Sequence, residues 1–192
     1  MARLRSEEKR AAILSAATRV IAVQGLGAAT AVIAREAGVA NGSLFLYFET
    51  KAVLLNELYV ALKSEMGTAA VAGLPVQGQP RELIGRMWMQ WLRWATTSPD
   101  KRRVLAQLEV AEEVSAESHQ SVRESQQAMA ALLERSRADG PMRDVPLGFV
   151  LTLVGAMADA TMDAMIREPA QADAHAAVAF EAIWRVLAGT TT

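Results

Sequence analysis

The sequence predicts an all-α protein, in which an N-terminal head of three helices precedes a C-terminal helical domain, with about nine helices in total. Apolar residues recur three and four positions apart along most of the chain, and no segment shows the alternation of a convincing β-strand. Glycine and proline interrupt this pattern, most clearly at residues 73–80 and 139–141. Helices separated by such breakers are typical of an all-helical fold.

The elements follow from start and stop signals along the chain. The first helix is expected to begin after Ser6, a candidate N-cap, and to end at Gly25 and Gly27. Thr50 is a candidate N-cap for a fourth helix over about residues 51–71. The remaining helices are expected over about residues 81–97, 99–114, 117–138, 146–166 and 170–188.

Residues 33–51 have the spacing of two short helices that cross at a tight turn, which is the pattern of a helix-turn-helix. Gly38 stands where the first of these helices must end, because an αL residue lets the chain turn there at no steric cost. The second is expected to run from about residue 42 to residue 48, with Leu44 and Phe48 packed inward. The side chains left pointing outward, toward a DNA major groove, are those of Ser43, Phe45 and Tyr47.

This segment and its flanks resemble the DNA-binding domain of the TetR (tetracycline-repressor) family of transcriptional regulators, over roughly the first 60 residues. The matching residues are Gly25, Ile33, Ala34, Ala37, Gly38, Val39, Gly42, Ser43, Leu44, Tyr47, Phe48, Lys51, Leu54 and Leu55. The aromatic step at Tyr47, followed by Lys51, is more specific than a generic helix-turn-helix. The resemblance implies a DNA-binding domain at 1–50 and a ligand-binding and dimerisation domain at 51–192, with helix 51–71 linking the two.

The resemblance also implies roles for individual residues at the DNA. Ser43 would touch a phosphate or a base edge, Tyr47 would hydrogen-bond a phosphate, and Lys51 would neutralise one. Thr30 would cap the second helix and touch the DNA backbone, and Asn41 and Gly42 would approach the bases. Arg3, Arg5 and Lys9 would add to the salt-dependent attraction.

Three residues depart from the family pattern. Phe45 stands where the family usually has a tyrosine that binds phosphate, so that hydroxyl contact is missing. Leu46 replaces a residue that is commonly polar or aromatic, and is expected to make only apolar contact, for example to a thymine methyl. Ala40 replaces the usual serine cap, so Asn41 is expected to cap the recognition helix instead.

Composition excludes several classes of function. The chain has no cysteine, which excludes disulfides, thiolate nucleophiles and zinc–cysteine sites. Residues 1–51 contain seven lysines and arginines and four acidic residues, whereas residues 52–192 contain thirteen and seventeen. The positive end therefore coincides with the helix-turn-helix, although so small an excess can also arise by chance. An apolar run over 145–158 is too short to span a bilayer, and the N-terminus has no apolar targeting region, so a cytoplasmic location with no membrane partner is expected.

Trp88, Trp91 and Trp94 recur at helical spacing on one predicted helix. Aromatic residues at this spacing usually pack in a core, but they can also line an apolar ligand cavity, and the two roles are compatible. The resemblance places an effector pocket among the fourth to eighth helices. The residues predicted to line it are Met87, Trp88, Trp91, Trp94, Leu108, Met129 and Met157.

The last two predicted helices are rich in alanine and glycine, which let helices approach closely, and bulky residues are interspersed among them. The resemblance implies that two such helices from each of two subunits form a homodimer interface, and packing within one chain is the alternative. The predicted interface residues are Phe149, Leu153, Ala156, Phe180, Ile183, Trp184 and Leu187.

No catalytic residues, metal site or cofactor are predicted, because no nucleophile–base pair, metal-ligand spacing or phosphate-binding glycine loop occurs. Asp159 and Asp163 are interpreted as a solvated helix face rather than an anchor for a cationic ligand, and His119 and His175 as structural. The resulting hypothesis is a ligand-responsive DNA-binding regulator that represses from a palindromic operator until a small, largely apolar effector releases it. The alternatives are an all-helical ligand-binding or interaction module without a DNA role, and an enzyme.

Overall fold

The computed structural model describes residues 2–75 and 77–189, with side chains from Ser6 onward. Within these residues the chain forms ten α-helices, one 3₁₀ turn and no β-strand, which confirms the all-α class. The helices are α1 Ala2–Gln24, α2 Thr30–Glu36, α3 Asn41–Leu44, α4 Lys51–Val71, α5 Pro80–Thr97, α6 Pro99–Glu109, α7 Ala116–Ser125, α8 Gln127–Arg137, α9 Leu147–Arg167 and α10 Ala172–Ala188.

The tenth helix arises because the predicted helix over 117–138 is interrupted. Gln126, with φ of −101° and ψ of 5°, leaves the helical conformation between α7 and α8. No glycine or proline marks this break, so the sequence pattern could not reveal it. The predicted helix over 99–114 also ends early, because Val110 leaves the helical conformation with φ of −112° and ψ of 6°.

The helices group into two compact units. The first contains the described residues up to Glu65 together with Ser98–Glu124, and the second contains Met66–Thr97 together with the described residues from Ser125 onward. Helix α4 begins in the first unit and ends in the second. The predicted boundary after residue 50 separates a DNA-binding part from a ligand-binding part, whereas the two units are defined by compactness. That boundary stays a prediction.

The first unit is built on α1, which packs against α2 and α6, while α2 packs against α3. Ile13, Ala17 and Ile21 on α1 are fully buried. The Arg103 guanidinium on α6 donates to the carbonyl of Ala22 at 3.2 Å, which ties α6 to the end of α1. These contacts make α1 the platform on which the short helices α2 and α3 are held.

The second unit is built on α5, α9 and α10, which pack against one another, with α8 against α5 and α10. A buried arginine organises the loop after α8. The Arg137 side chain donates to the carbonyls of Met142, Arg143 and Val145 and pairs with Glu134 at 2.8 Å. A single side chain thus ties the turn after α8 to the end of that helix.

Helix α9 is the one helix among the described residues that is long and apolar enough, by length and composition, to cross a membrane. It packs against α10 and α5, yet only 28% of its most apolar window is buried within this chain. Its exposed positions include the large apolar residues Phe149, Leu151 and Ile166, which its own chain leaves uncovered.

Candidate DNA-binding site

A left-handed glycine ends α2 and turns the chain toward α3. Gly38 has a φ of +70°, a value that strains any residue with a Cβ atom. Its N–H donates to the carbonyl of Arg35 at 3.1 Å, and the N–H of Val39 donates to that of Ala34 at 2.9 Å. This pair of hydrogen bonds is a Schellman C-cap, and it confirms the predicted role of Gly38.

The recognition helix is shorter than predicted. Helix α3 covers only Asn41–Leu44, whereas the sequence pattern predicted a helix to residue 48. The N–H groups of Leu46 and Tyr47 donate to carbonyls three residues earlier, at 3.2 and 3.0 Å. The chain thus continues from α3 as tight turns rather than as an α-helix. We refer to residues 41–47 as the recognition segment.

The inner and outer faces of this segment are as predicted. Leu44 and Phe48 are completely buried, together with Ile33 on α2. The outer face consists of exposed Asn41, Gly42, Phe45 and Leu46, with Ser43 and Tyr47 half-buried. The fold therefore presents one continuous surface of the predicted DNA-contacting residues, whose individual contacts stay predictions.

Three of the four predicted helix caps are wrong. The N-cap of α2 is Ala29 and that of α3 is Ala40, and neither makes a side-chain capping bond. Thr30 and Asn41 lie one residue too far along to cap, since each is the first residue inside its helix. Ser6 lies inside α1, which begins at Ala2. Thr50 does cap α4, because its hydroxyl accepts a 3.1 Å bond from the N–H of Val53.

Gly42 is a glycine that the fold itself does not require. It is exposed, its φ is not positive, and a Cβ placed on it would meet nothing within 4 Å. A helical glycine costs roughly 1 kcal/mol relative to alanine, so its presence needs another reason. Close approach of a partner to the backbone is such a reason, as expected for a residue predicted to lie against DNA.

Of the basic side chains near the recognition segment, two form ion pairs within the chain and others lie at the surface. Arg10 pairs with Glu57 and lies 5.1 Å above the Phe48 ring, and Arg19 pairs with Glu36 at 2.8 Å. Lys9 is exposed, and Lys51 is half-buried as the first residue of α4. The side chains of Arg3 and Arg5, predicted to attract DNA, lie outside the described residues.

An asparagine that the sequence did not single out fixes the start of α4. The Asn56 amide donates to the carbonyls of Ala52 at 2.8 Å and Glu113 at 2.7 Å. Its oxygen accepts from the Ser115 N–H at 2.8 Å and the Ser118 hydroxyl at 2.7 Å. The amide thus uses both its N–H groups and its oxygen to hold α4 against the α6–α7 connection. This contact positions Lys51, which lies on the same short stretch of α4.

Tyr59 joins α4 to α6 and α7 one turn further on. Its buried hydroxyl lies 2.9 Å from His119 Nδ1 and 3.5 Å from a Glu109 carboxylate oxygen. Lys63 Nζ lies 2.6 Å from the other Glu109 oxygen. Burial and the Glu109 charge raise the pKa of the Tyr59 hydroxyl, which therefore remains a proton donor. His119 is hydrogen-bonded, as its structural interpretation expected, and His175 lies 3.3 Å from Glu168.

The predicted pocket residues do not converge on one cavity within either unit. Trp88 is buried and donates from Nε1 to the carbonyl of Ala176 at 2.9 Å, which is the behaviour of a core residue. Leu108 is buried in the first unit and Met129 is exposed on α8. Met157 borders a cavity of only ≈ 20 Å³, and Met87 and Trp94 are buried, with Trp91 half-buried. The physical reason is that α5 packs against α9 and α10, and that Trp88 is bonded to the α10 backbone in that contact.

One larger concavity lies within the second unit. An open groove of ≈ 1080 Å³ runs along α5 between the end of α4 and α10. Trp94, Met89 and Phe180 contribute its apolar surface, and ion pairs of Arg81 with Glu181 and of Arg86 with Glu82 lie along its rim. Of the seven predicted pocket residues, only Trp94 lines this groove.

The predicted dimer residues fall into two groups. Phe149, at 56% exposure, and Ala156 are exposed, and Leu153, Phe180 and Trp184 are half-buried. Ile183 and Leu187 are buried between helices of their own chain, so they support α10 from within rather than offering surface to a second copy. Asp159 and Asp163 are exposed, as the solvated-face interpretation expected.

A helix-turn-helix with an outward recognition segment, joined through one long helix to a second helical unit, defines the class of DNA-binding transcriptional regulators. The sequence model of the family "Bacterial regulatory proteins, tetR family" matches residues 13–58, which run from α1 through the recognition segment into α4. Residues 13–58 therefore form a DNA-binding domain of the TetR family. Regulators of this family are not enzymes, and within the described residues no cluster of three or more potential metal ligands occurs.

Solved structures extend the likeness over almost the whole chain. A TetR family transcription regulator from Shewanella sp. PV-4 is 28% identical with a TM-score of 0.80, and 92% of this chain aligns with 96% of that one. A regulator from Marinobacter aquaeolei VT8 is 21% identical with a TM-score of 0.82, covering 96% and 98%. FadR from Bacillus subtilis, in complex with stearoyl-CoA, is 17% identical with a TM-score of 0.67, covering 94% and 98%. The last two support the fold alone.

Proposed function

We propose that this regulator is a homodimeric repressor that binds a palindromic operator and is released by a small, largely apolar effector. The observation that carries the proposal is that one chain combines an outward recognition segment with a long apolar helix left uncovered in its own subunit. A helix-turn-helix reads only a short half-site, so specific binding needs two copies held at a defined spacing.

The uncovered surface of α9 and α10 supports the dimer. Val178 is 72% exposed on α10 and Phe149 is 56% exposed on α9, with exposed alanines between the bulky residues. Large exposed apolar patches on soluble proteins usually mark interfaces. The exposed large apolar residues on these two helices are Phe149, Leu151, Ile166, Val178 and Val186.

Sedimentation equilibrium tests the dimer. The substitution Val178→Asp places a charge on the proposed interface and is expected to shift the protein to monomers and to weaken operator binding. Val110→Asp is the matched control, because Val110 is 83% exposed but lies in the first unit. A Val178→Asp protein that remains dimeric, or a Val110→Asp protein that dissociates equally, would contradict this interface.

Selection of bound fragments from a random DNA pool tests operator binding. The expected product is a palindrome whose half-sites lie about one helical turn, roughly 34–36 Å, or a multiple of it apart. The affinity should fall steeply with salt, because Lys51 and other cations displace counterions from phosphates. Tyr47→Ala should weaken binding to all sequences to a similar degree, whereas Ser43→Ala should alter sequence preference. A protein that binds no duplex at low ionic strength would support the non-DNA alternative.

The groove along α5 supports an apolar effector. FadR from Bacillus subtilis is described in complex with stearoyl-CoA, whose acyl chain is apolar. In this chain Met89, Trp94 and Phe180 give the groove along α5 an apolar surface, and the groove reaches α4 at Ala69. An effector bound there would act on the helix that also holds Lys51. It could release DNA only by binding one arrangement of α4 more tightly than the other.

Titration of the DNA complex with acyl compounds of increasing chain length tests the effector. Release of DNA that grows with chain length, together with a change in tryptophan fluorescence, is expected. Trp94→Ala should weaken the response, while Trp91→Ala, outside the groove lining, serves as control. A regulator acting on chromosomal DNA must share its compartment, so the proposal includes a cytoplasmic location.

A further inference from the structure

We infer that Leu46 is a specificity-determining residue that reads the C5-methyl group of a pyrimidine in the operator. The inference rests on the proposed operator binding and names the chemistry of its readout. It begins from an unusual feature of the fold, since Leu46 is 84% exposed although its neighbours Leu44 and Phe48 are completely buried. The core therefore makes no use of this leucine.

The position of Leu46 is fixed even though its side chain is exposed. Its N–H donates to the Ser43 carbonyl at 3.2 Å, and the flanking buried residues Leu44 and Phe48 fix the turn on both sides. The side chain thus stands on a rigid turn, not on a free loop. A large apolar group held out from a rigid surface loses no backbone entropy on contact, which suits it to recognition.

The residues near Leu46 on the recognition segment are apolar or lack a side chain. Phe45 is exposed beside it, and Gly42 offers no side chain and has open space around its Cα. Residues 41–47 contain no arginine or lysine, the side chains that most often read guanine in the major groove, and Asn41 is their one amide that can read adenine. This segment can read base edges only through its few short polar groups and through apolar contact.

Apolar contact in the major groove has one natural target. Each base pair presents a distinct pattern there, and the only alkyl group among the four bases is the C5-methyl of thymine. Methylation of cytosine places the same group at the same ring position. The group that Leu46 would contact is therefore the methyl of a C5-methylated pyrimidine. The experiment below distinguishes thymine from 5-methylcytosine.

The test uses the full-length protein and a fragment obtained by the selection described above. Thymines are replaced one at a time, in both half-sites, by uracil, which removes the methyl group and leaves the pairing edges unchanged. Binding is measured by fluorescence anisotropy. At one thymine per half-site the replacement is expected to weaken binding about fourfold per half-site, the effect of one buried methyl group.

The Leu46→Ala protein links that effect to Leu46. It should bind the unmodified fragment more weakly by a similar factor and should lose sensitivity to uracil at the same thymine alone. Val110→Ala is the matched control, since Val110 is 83% exposed in the same unit but outside the recognition segment, and it should retain full sensitivity. Folding of Leu46→Ala is unaffected because the side chain contributes nothing to the core.

A second arm separates the two pyrimidines. A cytosine–guanine pair is placed at the mapped position, and binding is compared with and without C5-methylation of that cytosine. Recovery of affinity by methylation in the native protein, and not in Leu46→Ala, extends the readout to 5-methylcytosine, and its absence restricts the readout to thymine. If no uracil replacement weakens binding by the native protein, or if uracil weakens binding by Leu46→Ala as much as by the native protein, the inference is overturned and the proposed function stands. Failure to select any fragment overturns the proposed function with it.

Discussion

Tyr59 on α4 and His119 on α7 share a hydrogen bond of 2.9 Å between hydroxyl and Nδ1, and their rings meet edge to face with centroids 4.8 Å apart. Both side chains belong to the unit that contains the recognition segment. Burial and the Glu109 charge keep the Tyr59 hydroxyl protonated, and the His119 tautomer decides whether its one proton goes to Nδ1 or to the Glu109 carboxylate. The contacts of this buried hydroxyl therefore depend on a protonated tyrosine.

This dependence predicts a loss of stability in alkaline solution. Because the folded pKa of Tyr59 is raised, the stability associated with its protonated form is complete below about pH 10, the ordinary tyrosine value, and is lost as the pH rises beyond it. Urea unfolding of the native protein should therefore show a falling free energy of unfolding above about pH 10. Tyr59→Phe should lose about 0.5–1.5 kcal/mol at neutral pH and show less of the alkaline fall.

Absorbance provides an independent readout of the same group. The chain has two tyrosines, so in Tyr47→Phe the tyrosinate absorbance reports Tyr59 alone. That absorbance should rise only at a pH above the range in which free tyrosine ionises, when the protein unfolds. A Tyr47→Phe protein that ionises like free tyrosine while still folded would show that Tyr59 is not the buried donor described here.

Asn56 should matter more for stability than its half-buried position suggests. Asn56→Ala removes the acceptor for the Ser115 N–H and the donor to the Glu113 carbonyl, so the α6–α7 connection loses its tie to α4. The expected cost is about 1–3 kcal/mol in urea unfolding. Asn41→Ala is the matched control, because Asn41 is exposed, and it should leave stability within about 0.5 kcal/mol of the native value.

Trp88 and Trp91 should respond differently to replacement by phenylalanine. Trp88→Phe removes the buried bond to the Ala176 carbonyl and leaves a small void between α5 and α10, at an expected cost of about 1–2 kcal/mol. Trp91 is half-buried and packs edge to face on Trp88 with centroids 5.9 Å apart, so Trp91→Phe should cost less. Equal costs in urea unfolding would argue against Trp88 as the tie between these helices.

Two glycines of the helix-turn-helix should behave in opposite ways when changed to alanine. Gly38→Ala forces a Cβ atom onto a φ of +70° and should destabilise the fold by about 1–2 kcal/mol. Gly42→Ala meets open space on a helix and should be neutral or stabilising by up to about 1 kcal/mol.

For DNA binding by the folded protein, Gly42→Ala should be more harmful than Gly38→Ala, the opposite of their effects on stability. Gly42→Ala should weaken operator binding at a temperature where the protein is fully folded, because its methyl group occupies space proposed for DNA. Gly38→Ala should retain binding under the same conditions if the fold is intact. A stable Gly42→Ala protein that binds the operator with native affinity would remove the argument for close approach at this position.

The prediction from sequence succeeded where the controlling interactions are local. The turn at Gly38, the inward pair Leu44 and Phe48, and the cap at Thr50 depend on backbone sterics and on spacing within a few residues. The caps predicted at Ser6, Thr30 and Asn41 failed because helix ends shift by a residue or more with little local signal. The break at Gln126 carries no glycine or proline and was equally invisible.

In the candidate site, too, the sequence predicted the residues whose roles depend on local spacing and missed those that depend on distant partners. The recognition segment is contiguous in sequence, so its periodicity alone assigned its inner and outer faces. Asn56 and His119 could not be found in this way, because each acquires its role from partners that lie some 60 residues away, Asn56 with Ser115 and Ser118 and His119 with Tyr59. The predicted pocket residues shared apolar character and helical spacing, which Trp88 satisfies equally well as a core residue.

By itself, the sequence determined that the chain is all-helical, that its N-terminal part is a helix-turn-helix, and which residues of that motif face outward. These properties follow from dihedral preferences and from apolar spacing, which act over a few residues. Only the tertiary structure decided that Ile183 and Leu187 are buried within the chain while Phe149 and Val178 remain on its surface. Burial depends on which helix packs against which, and that choice is made by the summed fit of distant side chains rather than by any local pattern.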